Sequence, residues 1–224
     1  MTITALPRVV ASPPDRPQVG NADHPMRKVT RQVAFEPGGW TAERKAKVAE
    51  LFDSMAAGWD ERASARETQT PLLDALARGG ELRGPCVEIG AGTGRATGPL
   101  LERFDAVLAV DVSIEMLRHF REPAATAVLA DGAQLPVRDA SAGTIVLVNA
   151  FLFPAEYDRV LAPDGTIVWV NTLADNTPIH LPVVDVLAAL PGEWAAVTAD
   201  AGWGLWATVR RATPAAAAAA DVPR

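Results

Sequence analysis

Three glycines at alternate positions carry the clearest chemical signal in this chain. Residues 87–95 read Val-Glu-Ile-Gly-Ala-Gly-Thr-Gly-Arg, and residues 97–104 then show helix-like apolar spacing. The apolar residues Cys86, Val87 and Ile89 predict a short buried strand, and glycines let the backbone turn sharply and approach a ligand. A strand, a glycine turn and a helix N-terminus together predict a site for a polar small molecule at the carboxyl edge of a parallel sheet.

A carboxylate follows the next predicted strand. Residues 106–110 are apolar, and Asp111 comes directly after them, about twenty residues beyond the first glycine of the turn. A carboxylate at that place can accept hydrogen bonds from both hydroxyls of a ribose, and its charge strengthens them. The other interpretation is an acidic residue that only stabilises the following helix, which Ser113 can cap. The apolar strand and the spacing favour the ribose role.

Two cofactor classes use a glycine turn of this kind. A nicotinamide dinucleotide site needs the spacing Gly-x-Gly-x-x-Gly, and Arg95 occupies the third glycine position here. The spacing Glu-x-Gly-x-Gly-x-Gly instead resembles motif I of the class I S-adenosylmethionine-dependent methyltransferases. The resemblance implies S-adenosylmethionine as cofactor, with Glu88 orienting its methionine end and Asp111 holding its ribose. It also implies an α/β, Rossmann-like fold, with a seven-stranded, mostly parallel sheet, helices on both faces and an antiparallel last strand.

Residues 127–136 resemble the adenine-side segment of the same family. The resemblance implies that Asp131 accepts a hydrogen bond from the adenine amino group, and that the backbone N–H groups after it meet ring nitrogens. Leu135, Val112 and Met116 are apolar and can form walls around the base. The alternative for Asp131 is a loop aspartate that faces solvent.

Two more stretches match the family. Residues 52–60 resemble the Phe-Asp-x-x-Ala-x-x-Tyr-Asp sequence of ubiquinone/menaquinone C-methyltransferase-like members, with Trp59 in place of the tyrosine. Trp59 either closes over the methionine end of the cofactor or packs in the core. Residues 161–170 resemble the turn before the fifth strand, with Pro163 and Gly165 as turn residues. The implied cofactor site consists of Trp59, Glu88, Gly90, Ala91, Gly92, Gly94, Asp111, Val112, Met116, Asp131, Gly132, Ala133 and Asn149.

The matching motifs bind cofactor only, so they supply no general base. His180 and Tyr157 are the weak candidates for acid/base work, and a lone loop histidine is more often an ordinary surface or packing residue. Several aromatic residues either line a pocket for a planar or lipophilic acceptor or belong to the core. They are Trp40, Phe151, Phe153, Trp203 and Trp206.

Composition limits the remaining classes of protein. The chain has 224 residues, is 49% hydrophobic and carries a net charge of −6. It suits one domain with a sizeable core, and its acidity argues against a nucleic-acid surface. A single cysteine excludes an internal disulfide, and no spacing of histidines and cysteine indicates a metal site. No apolar stretch is long enough for a signal peptide or a membrane span, so the expected location is cytoplasmic.

We therefore expect a flexible leader over residues 1–39, a methyltransferase domain over 40–212 whose helical cap spans 40–82, and a disordered tail over 213–224. The expected activity is methyl transfer to O, N or C of a small-molecule acceptor. The alternatives are a non-catalytic binder or partner protein of the same fold and, less favoured, an NAD(P)-dependent dehydrogenase. The sequence indicates neither the acceptor nor the oligomeric state.

Overall fold

A computed structural model describes residues 1–62 and 68–212, so the predicted disordered tail over 213–224 lies outside the described residues. The strands in chain order are β1 (Thr2–Ala5), β2 (Cys86–Ile89), β3 (Val107–Asp111), β4 (Thr126–Leu129), β5 (Ala142–Val148), β6 (Leu161–Asn171), β7 (Trp194–Ala201) and β8 (Gly204–Arg211). The helices are α1 (Pro25–Phe35), α2 (Ala42–Met55), α3 (Trp59–Arg62), α4 (Thr70–Arg78), α5 (Thr97–Leu101), α6 (Ile114–Arg118), α7 (Pro154–Val160) and α8 (Val183–Ala189), with a short 3₁₀ helix at Ala174–Asn176.

The eight strands found among the described residues form one sheet in the order β1-β7-β8-β6-β5-β2-β3-β4. β2 pairs in parallel with both β3 and β5, whereas β8 runs antiparallel to β6 and β7. The predicted mostly parallel sheet with an antiparallel last strand is confirmed. The strand count is eight instead of seven because β1 adds a parallel edge strand beside β7.

Alternate residues of the central strands enter two separate hydrophobic cores. On β6, Ile167 and Trp169 belong to one core, and Val168 and Val170 belong to the other. Successive side chains of a strand point to opposite faces, so the two cores lie on opposite faces of the sheet. Residues of α1, α2, α7 and α8 fill the first core, and residues of α4 and α5 fill the second. The sheet is therefore covered on both faces, as the near-continuous apolar strands require.

The N-terminal segment differs from the expected unstructured leader. β1 pairs with β7, and α1 buries Thr30, Val33 and Ala34 against the first core. The signal that the sequence analysis missed is the helical spacing of Met26, Val29 and Val33, which stands beside a proline-rich stretch. Those apolar side chains give residues 25–35 enough surface to bury to offset the cost of ordering them.

Two local details refine the predicted elements. Thr41 caps α2 as expected, since its hydroxyl accepts from the Arg44 N–H at 3.1 Å. The expected turn at Pro163 and Gly165 is a bulge inside β6, because the pairing with β5 advances from Ala142 to Thr144 while β6 advances from Leu161 to Thr166. None of the helices among the described residues is long and apolar enough to cross a membrane.

Packing of the N-terminal segment can be tested with a matched pair of substitutions. Val33 is 7% exposed in α1, so Val33→Ala should lower the free energy of unfolding by roughly 1–3 kcal/mol. Val19 in the same segment is 56% exposed, and Val19→Ala should change it by less than about 0.5 kcal/mol. Urea denaturation of both variants measures the difference, and equal small effects would show that α1 does not pack on the sheet.

Candidate functional site

One cavity opens at the carboxyl ends of the central parallel strands, where chain segments after β2, β3, β4, β5 and β6 meet. Ten of the thirteen predicted cofactor residues line it, and Gly94, Asp131 and Ala133 do not. The ten are Trp59, Glu88, Gly90, Ala91, Gly92, Asp111, Val112, Met116, Gly132 and Asn149. Ligand sites of open α/β sheets occur at this edge, so the topology brings together all of these residues except Trp59, which lies in α3.

The glycine turn places a backbone donor on the first carboxylate. Gly92 has a φ of 57°, which favours glycine, and its N–H donates to Asp111 Oδ2 at 2.7 Å. Gly94 serves packing instead, because a Cβ atom there would lie 3.0 Å from the Phe120 ring. Two contacts therefore constrain the turn, namely the hydrogen bond to Asp111 at the cavity and the packing of Gly94 against Phe120.

Asp111 is a buried acceptor at the tip of β3. It is 7% exposed, lines the cavity, and accepts from the Ser113 N–H at 2.8 Å through its second oxygen. Burial raises the pKa of Asp111, while backbone hydrogen bonds from Ser113 and Gly92 oppose that shift. The cap of α6 is Ser113, whose hydroxyl accepts from the Met116 N–H at 3.0 Å. The alternative role for Asp111, capping or stabilising that helix alone, is therefore weakened.

Glu88 lies one strand away and is more deeply buried. It is 2% exposed, and the Thr97 hydroxyl donates to its Oε2 at 2.5 Å. Burial raises the pKa of Glu88 from 4.5 to about 8, the Thr97 hydrogen bond opposes this, and the negative charges of Asp111 and Glu122 add to it. At neutral pH the side chain is thus mainly an uncharged carboxylic acid. A cationic group placed beside it would favour its ionised form.

The segment 52–60 closes the cavity through its two aspartates. Asp53 accepts from the Ser113 hydroxyl at 2.5 Å, and Asp60 accepts from the Thr93 hydroxyl at 2.6 Å. Phe52 and Trp59 both line the cavity, with ring centroids 6.0 Å apart in an edge-on arrangement. Trp59 thus borders the cavity, and its closure over the methionine end of the cofactor stays a prediction.

The Asp131 carboxylate has three partners within the protein, and its role toward adenine stays a prediction. Its Oδ1 accepts from Trp40 Nε1 at 2.9 Å and from the Ala133 N–H at 2.9 Å, and its Oδ2 lies 3.3 Å from Lys45 Nζ. Asp131 and Ala133 are absent from the described lining of the cavity, whereas Gly132 and Trp40 border it. The sequence could not show this, because Trp40 is ninety-one residues away from its acceptor.

Asn149 and Thr172 form a reciprocal pair at the ends of β5 and β6. Asn149 Nδ2 donates to the Thr172 hydroxyl at 2.8 Å, and its Oδ1 accepts from the Thr172 N–H at 3.0 Å. Asn149 has a φ of 52°, a left-handed conformation that asparagine tolerates better than most residues. Both residues line the cavity, so the pair fixes a polar, uncharged wall there. Thr172 was missed in the sequence, where nothing marks it.

The two acid/base candidates do not line the cavity. Tyr157 is fully buried, its hydroxyl donates to the Phe151 carbonyl at 2.9 Å, and burial raises its pKa well above its ordinary value. His180 contacts Asn171 Oδ1 at 2.8 Å, and burial followed by the nearby charge of Arg27 lowers the pKa of its ring to about 4. Both positions are explained by local packing.

Three of the five aromatic residues considered for the pocket border it, namely Trp40, Phe151 and Phe153. Trp203 donates through Nε1 to the Pro13 carbonyl at 2.9 Å, and Trp206 donates to Asp74 Oδ2 at 2.6 Å inside the second core. Trp203 and Trp206 therefore support the fold. Among the described residues, no group of three or more His, Cys, Asp or Glu side chains is placed to hold a metal ion.

Part of the chain that forms this site is similar to a family of known proteins. Residues 87–169 match a family model described as a methyltransferase domain. This part of the chain is therefore similar to methyltransferase domains. The match runs from the glycine turn to β6 and so includes Glu88, Asp111 and Asn149, and it indicates S-adenosylmethionine binding. A search of curated proteins found no match.

Solved structures share the fold of this chain at low sequence identity. The DhpI-SAM-HEP complex is 19% identical over 72% of this chain and 94% of that one, with a TM-score of 0.56. A SAM-dependent methyltransferase from Thermotoga maritima is 15% identical over 73% and 99%, with a TM-score of 0.57. One from Aquifex aeolicus is 16% identical over 70% and 96%, with a TM-score of 0.56.

The chain spans only 59% of the length of a chain from the complex between the Haloferax volcanii Trm112 methyltransferase activator and a methyltransferase. The identity there is 22% and the TM-score is 0.46, so that likeness carries no argument.

The buried Glu88 predicts how the stability of the protein depends on pH. The folded state keeps a proton up to about pH 8, whereas the side chain has an ordinary value of 4.5. The contribution of Glu88 to stability is therefore fully present below pH 4.5 and is lost as the pH rises through about 8. Glu88→Gln keeps an acceptor for Thr97 and removes the titration, so its melting temperature should fall less than that of the wild type between pH 5 and 9.

Thermal unfolding followed by circular dichroism at several pH values makes this comparison. Glu36→Gln at an exposed position is the control, and its pH profile should run parallel to the wild type. A Glu88→Gln profile parallel to the wild type as well would contradict the buried, proton-binding carboxyl.

Proposed function

We propose that the protein uses S-adenosylmethionine to methylate an O, N or C atom of a small-molecule acceptor. S-adenosylmethionine supplies a methyl group on a sulfonium, from which the remaining thioether is an excellent leaving group. The resemblance of residues 52–60 to ubiquinone/menaquinone C-methyltransferase-like members supports a small-molecule acceptor. Both aspartates of that sequence hold the segment at the cavity. A cytoplasmic location stays a prediction from the sequence.

The observation that carries the proposal is the Asp111 carboxylate at the glycine turn. A carboxylate that is 7% exposed costs free energy to bury unless donors satisfy it. Two backbone N–H groups, from Gly92 and Ser113, meet one oxygen each. A carboxylate has about four acceptor sites, so capacity remains on the cavity side for the paired hydroxyls of a ribose. The residues thus fit a nucleoside ligand without a phosphate.

Other lining residues can bind the remaining parts of the ligands. Glu88 can bind an ammonium group, because its proton is easily given up once a cation lies beside it. Val112 and Met116 present apolar surface next to Asp111. Asn149 and Thr172 hold a neutral polar wall at the other end of the cavity, toward β6. These side chains bind and orient ligands, and the aromatic residues around them exclude water.

The proposal assigns no general base. His180 and Tyr157 lie away from the cavity, and their hydrogen bonds have structural roles. An acceptor that is already ionised, such as a phenolate or enolate, needs little help from a base, because its charge is neutralised as the methyl group moves. A low-dielectric cavity favours such neutralisation of opposite charges.

Two alternatives from other classes are separable by experiment. A non-catalytic binder would bind S-adenosylmethionine and give no S-adenosylhomocysteine with any metabolite fraction. A dehydrogenase would instead show a thermal shift with NAD(P). Arg95 argues against the dehydrogenase, since it stands where the third glycine belongs and its guanidinium reaches the Asp60 carbonyl at 3.4 Å.

Substitution of Asp111 tests whether its carboxylate binds the ribose. Asp111→Asn keeps one oxygen acceptor and removes the charge that strengthens the ribose hydrogen bonds. Its affinity for S-adenosylhomocysteine, measured by isothermal titration calorimetry, should fall about 10- to 100-fold, because hydrogen bonds to charged groups contribute about 1.5–3 kcal/mol.

Asp200→Asn is the matched control, because Asp200 is a half-exposed surface carboxylate paired with Arg8. It should bind as tightly as the wild type. An Asp111→Asn variant that melts like the wild type and binds with unchanged affinity would refute the ribose assignment.

A further inference from the structure

Trp40 is held at the cavity by three independent contacts. Its Nε1 donates to Asp131 Oδ1 at 2.9 Å, and its ring packs against Phe153 and Phe151 with centroid distances of 5.1 and 5.5 Å. Trp40 borders the cavity, as do both phenylalanines. A tryptophan fixed in this way loses little further freedom when a flat ligand packs on it.

The same aromatic cluster lies next to the adenosine side of the cavity. A Cβ atom on Gly132 would stand 2.9 Å from the Phe153 ring, so the ring passes directly over the turn that follows β4. β4 pairs with β3, which ends in Asp111. A ribose on Asp111 therefore carries its base toward this turn or toward Met116, and both directions remain on the β3–β4 side of the cavity.

Asp131 is largely committed to the protein itself. Its two oxygens receive the Trp40 indole N–H, the Ala133 N–H and the Lys45 ammonium group, which together occupy most of the acceptor capacity of a carboxylate. The carboxylate therefore has a clear task without any ligand, which is to hold Trp40 and the first turn of α2 against the end of β4.

We propose that Trp40 is a cofactor-binding residue whose indole ring contacts the purine base, and that Asp131 is a positioning residue that acts through Trp40. The inference rests on the proposed function and deepens it. Purine and indole rings both present flat π-faces, and contact between them is favourable for any base. Trp40 lies outside residues 87–169, so the N-terminal part of the chain completes the site.

The arrangement also links base binding to the N-terminal helices. Lys45 belongs to α2, and the far end of α2 is tied to Ser113 through Asp53. Both ends of α2 are thus anchored on the β3–β4 side of the cavity. Lys45, near the start of the helix, pairs with the Asp131 carboxylate that also holds Trp40, and Asp53, near its end, accepts from Ser113. A base that packs on Trp40 would stabilise this anchoring, and S-adenosylhomocysteine should protect backbone amides of α2 from hydrogen exchange.

Calorimetry and tryptophan fluorescence with S-adenosylhomocysteine test the proposal. Trp40→Ala should weaken binding about tenfold or more, and Trp40→Phe, which keeps an aromatic ring, should weaken it less. Binding should quench wild-type tryptophan emission, and Trp40→Phe should lose a large part of that quenching. Trp203→Phe is the matched control, because its indole contacts Pro13 away from the cavity, and it should change neither affinity nor quenching.

A double-mutant cycle separates the two roles. If Asp131 acts through Trp40, then Asp131→Ala should cost affinity in the wild type and almost none in the Trp40→Ala background. Asp131→Asn should bind nearly as well as the wild type, because an amide oxygen still accepts from the indole N–H.

Three results would overturn the inference. The first is that the losses of affinity in the double-mutant cycle are additive, and the second is that either Trp40 variant binds more tightly than the wild type. The third is that Trp40→Ala keeps the wild-type affinity while Trp40→Phe keeps both the wild-type affinity and the wild-type quenching. Failure of the proposed function looks different, because the wild type itself would then give no binding heat with S-adenosylhomocysteine.

Discussion

The hydrogen bond from the Gly92 N–H to the Asp111 carboxylate, 2.7 Å long, is the contact on which the site depends. It joins the turn after β2 to the tip of β3, and those two ends meet because the strands are neighbours that run parallel. A buried carboxylate needs such donors, and a turn with a φ of 57° at Gly92 needs a residue without a side chain. Burial of a second carboxyl group, Glu88, on the adjacent strand concentrates acidic groups where a cationic nucleoside would be stabilised.

Most of the cavity's remaining walls come from segments that the sheet does not position by itself. Asp53 and Asp60 fasten segment 52–60 to Ser113 and Thr93, and the Asp131 carboxylate fastens Trp40. In each case a carboxylate accepts from a hydroxyl or indole group that is far away in the sequence. Such hydrogen bonds to a charged acceptor are stronger than neutral ones, so three of them can hold a short helical cap over an otherwise open edge.

The sequence predicted the parts of the structure that depend on local pattern. The strand and turn around Gly92, the cap at Ser113 and the antiparallel last strand all follow from periodicity, glycine spacing and a family resemblance. Several of the predicted residues at strand ends also line the cavity, because parallel topology brings strand ends together.

What the sequence could not show about Asp131 and Thr172 has one physical cause, which is dependence on contacts between distant residues. The role of Asp131 could not be read from its neighbours, because its partners Trp40 and Lys45 lie in another part of the chain. The same holds for Thr172, which matters through Asn149. The N-terminal segment was judged by its prolines, although the apolar spacing of α1 was present in the sequence.

The central claim is that the carboxyl ends of β2 and β3 form the binding site of a sulfonium nucleoside. A crystal structure of the full chain with S-adenosylhomocysteine tests it most directly. The account predicts ligand density between the glycine turn and segment 52–60, with both ribose hydroxyls within hydrogen-bond distance of the Asp111 carboxylate. Well-defined ligand density at any other place, or ribose hydroxyls turned away from Asp111, would contradict it.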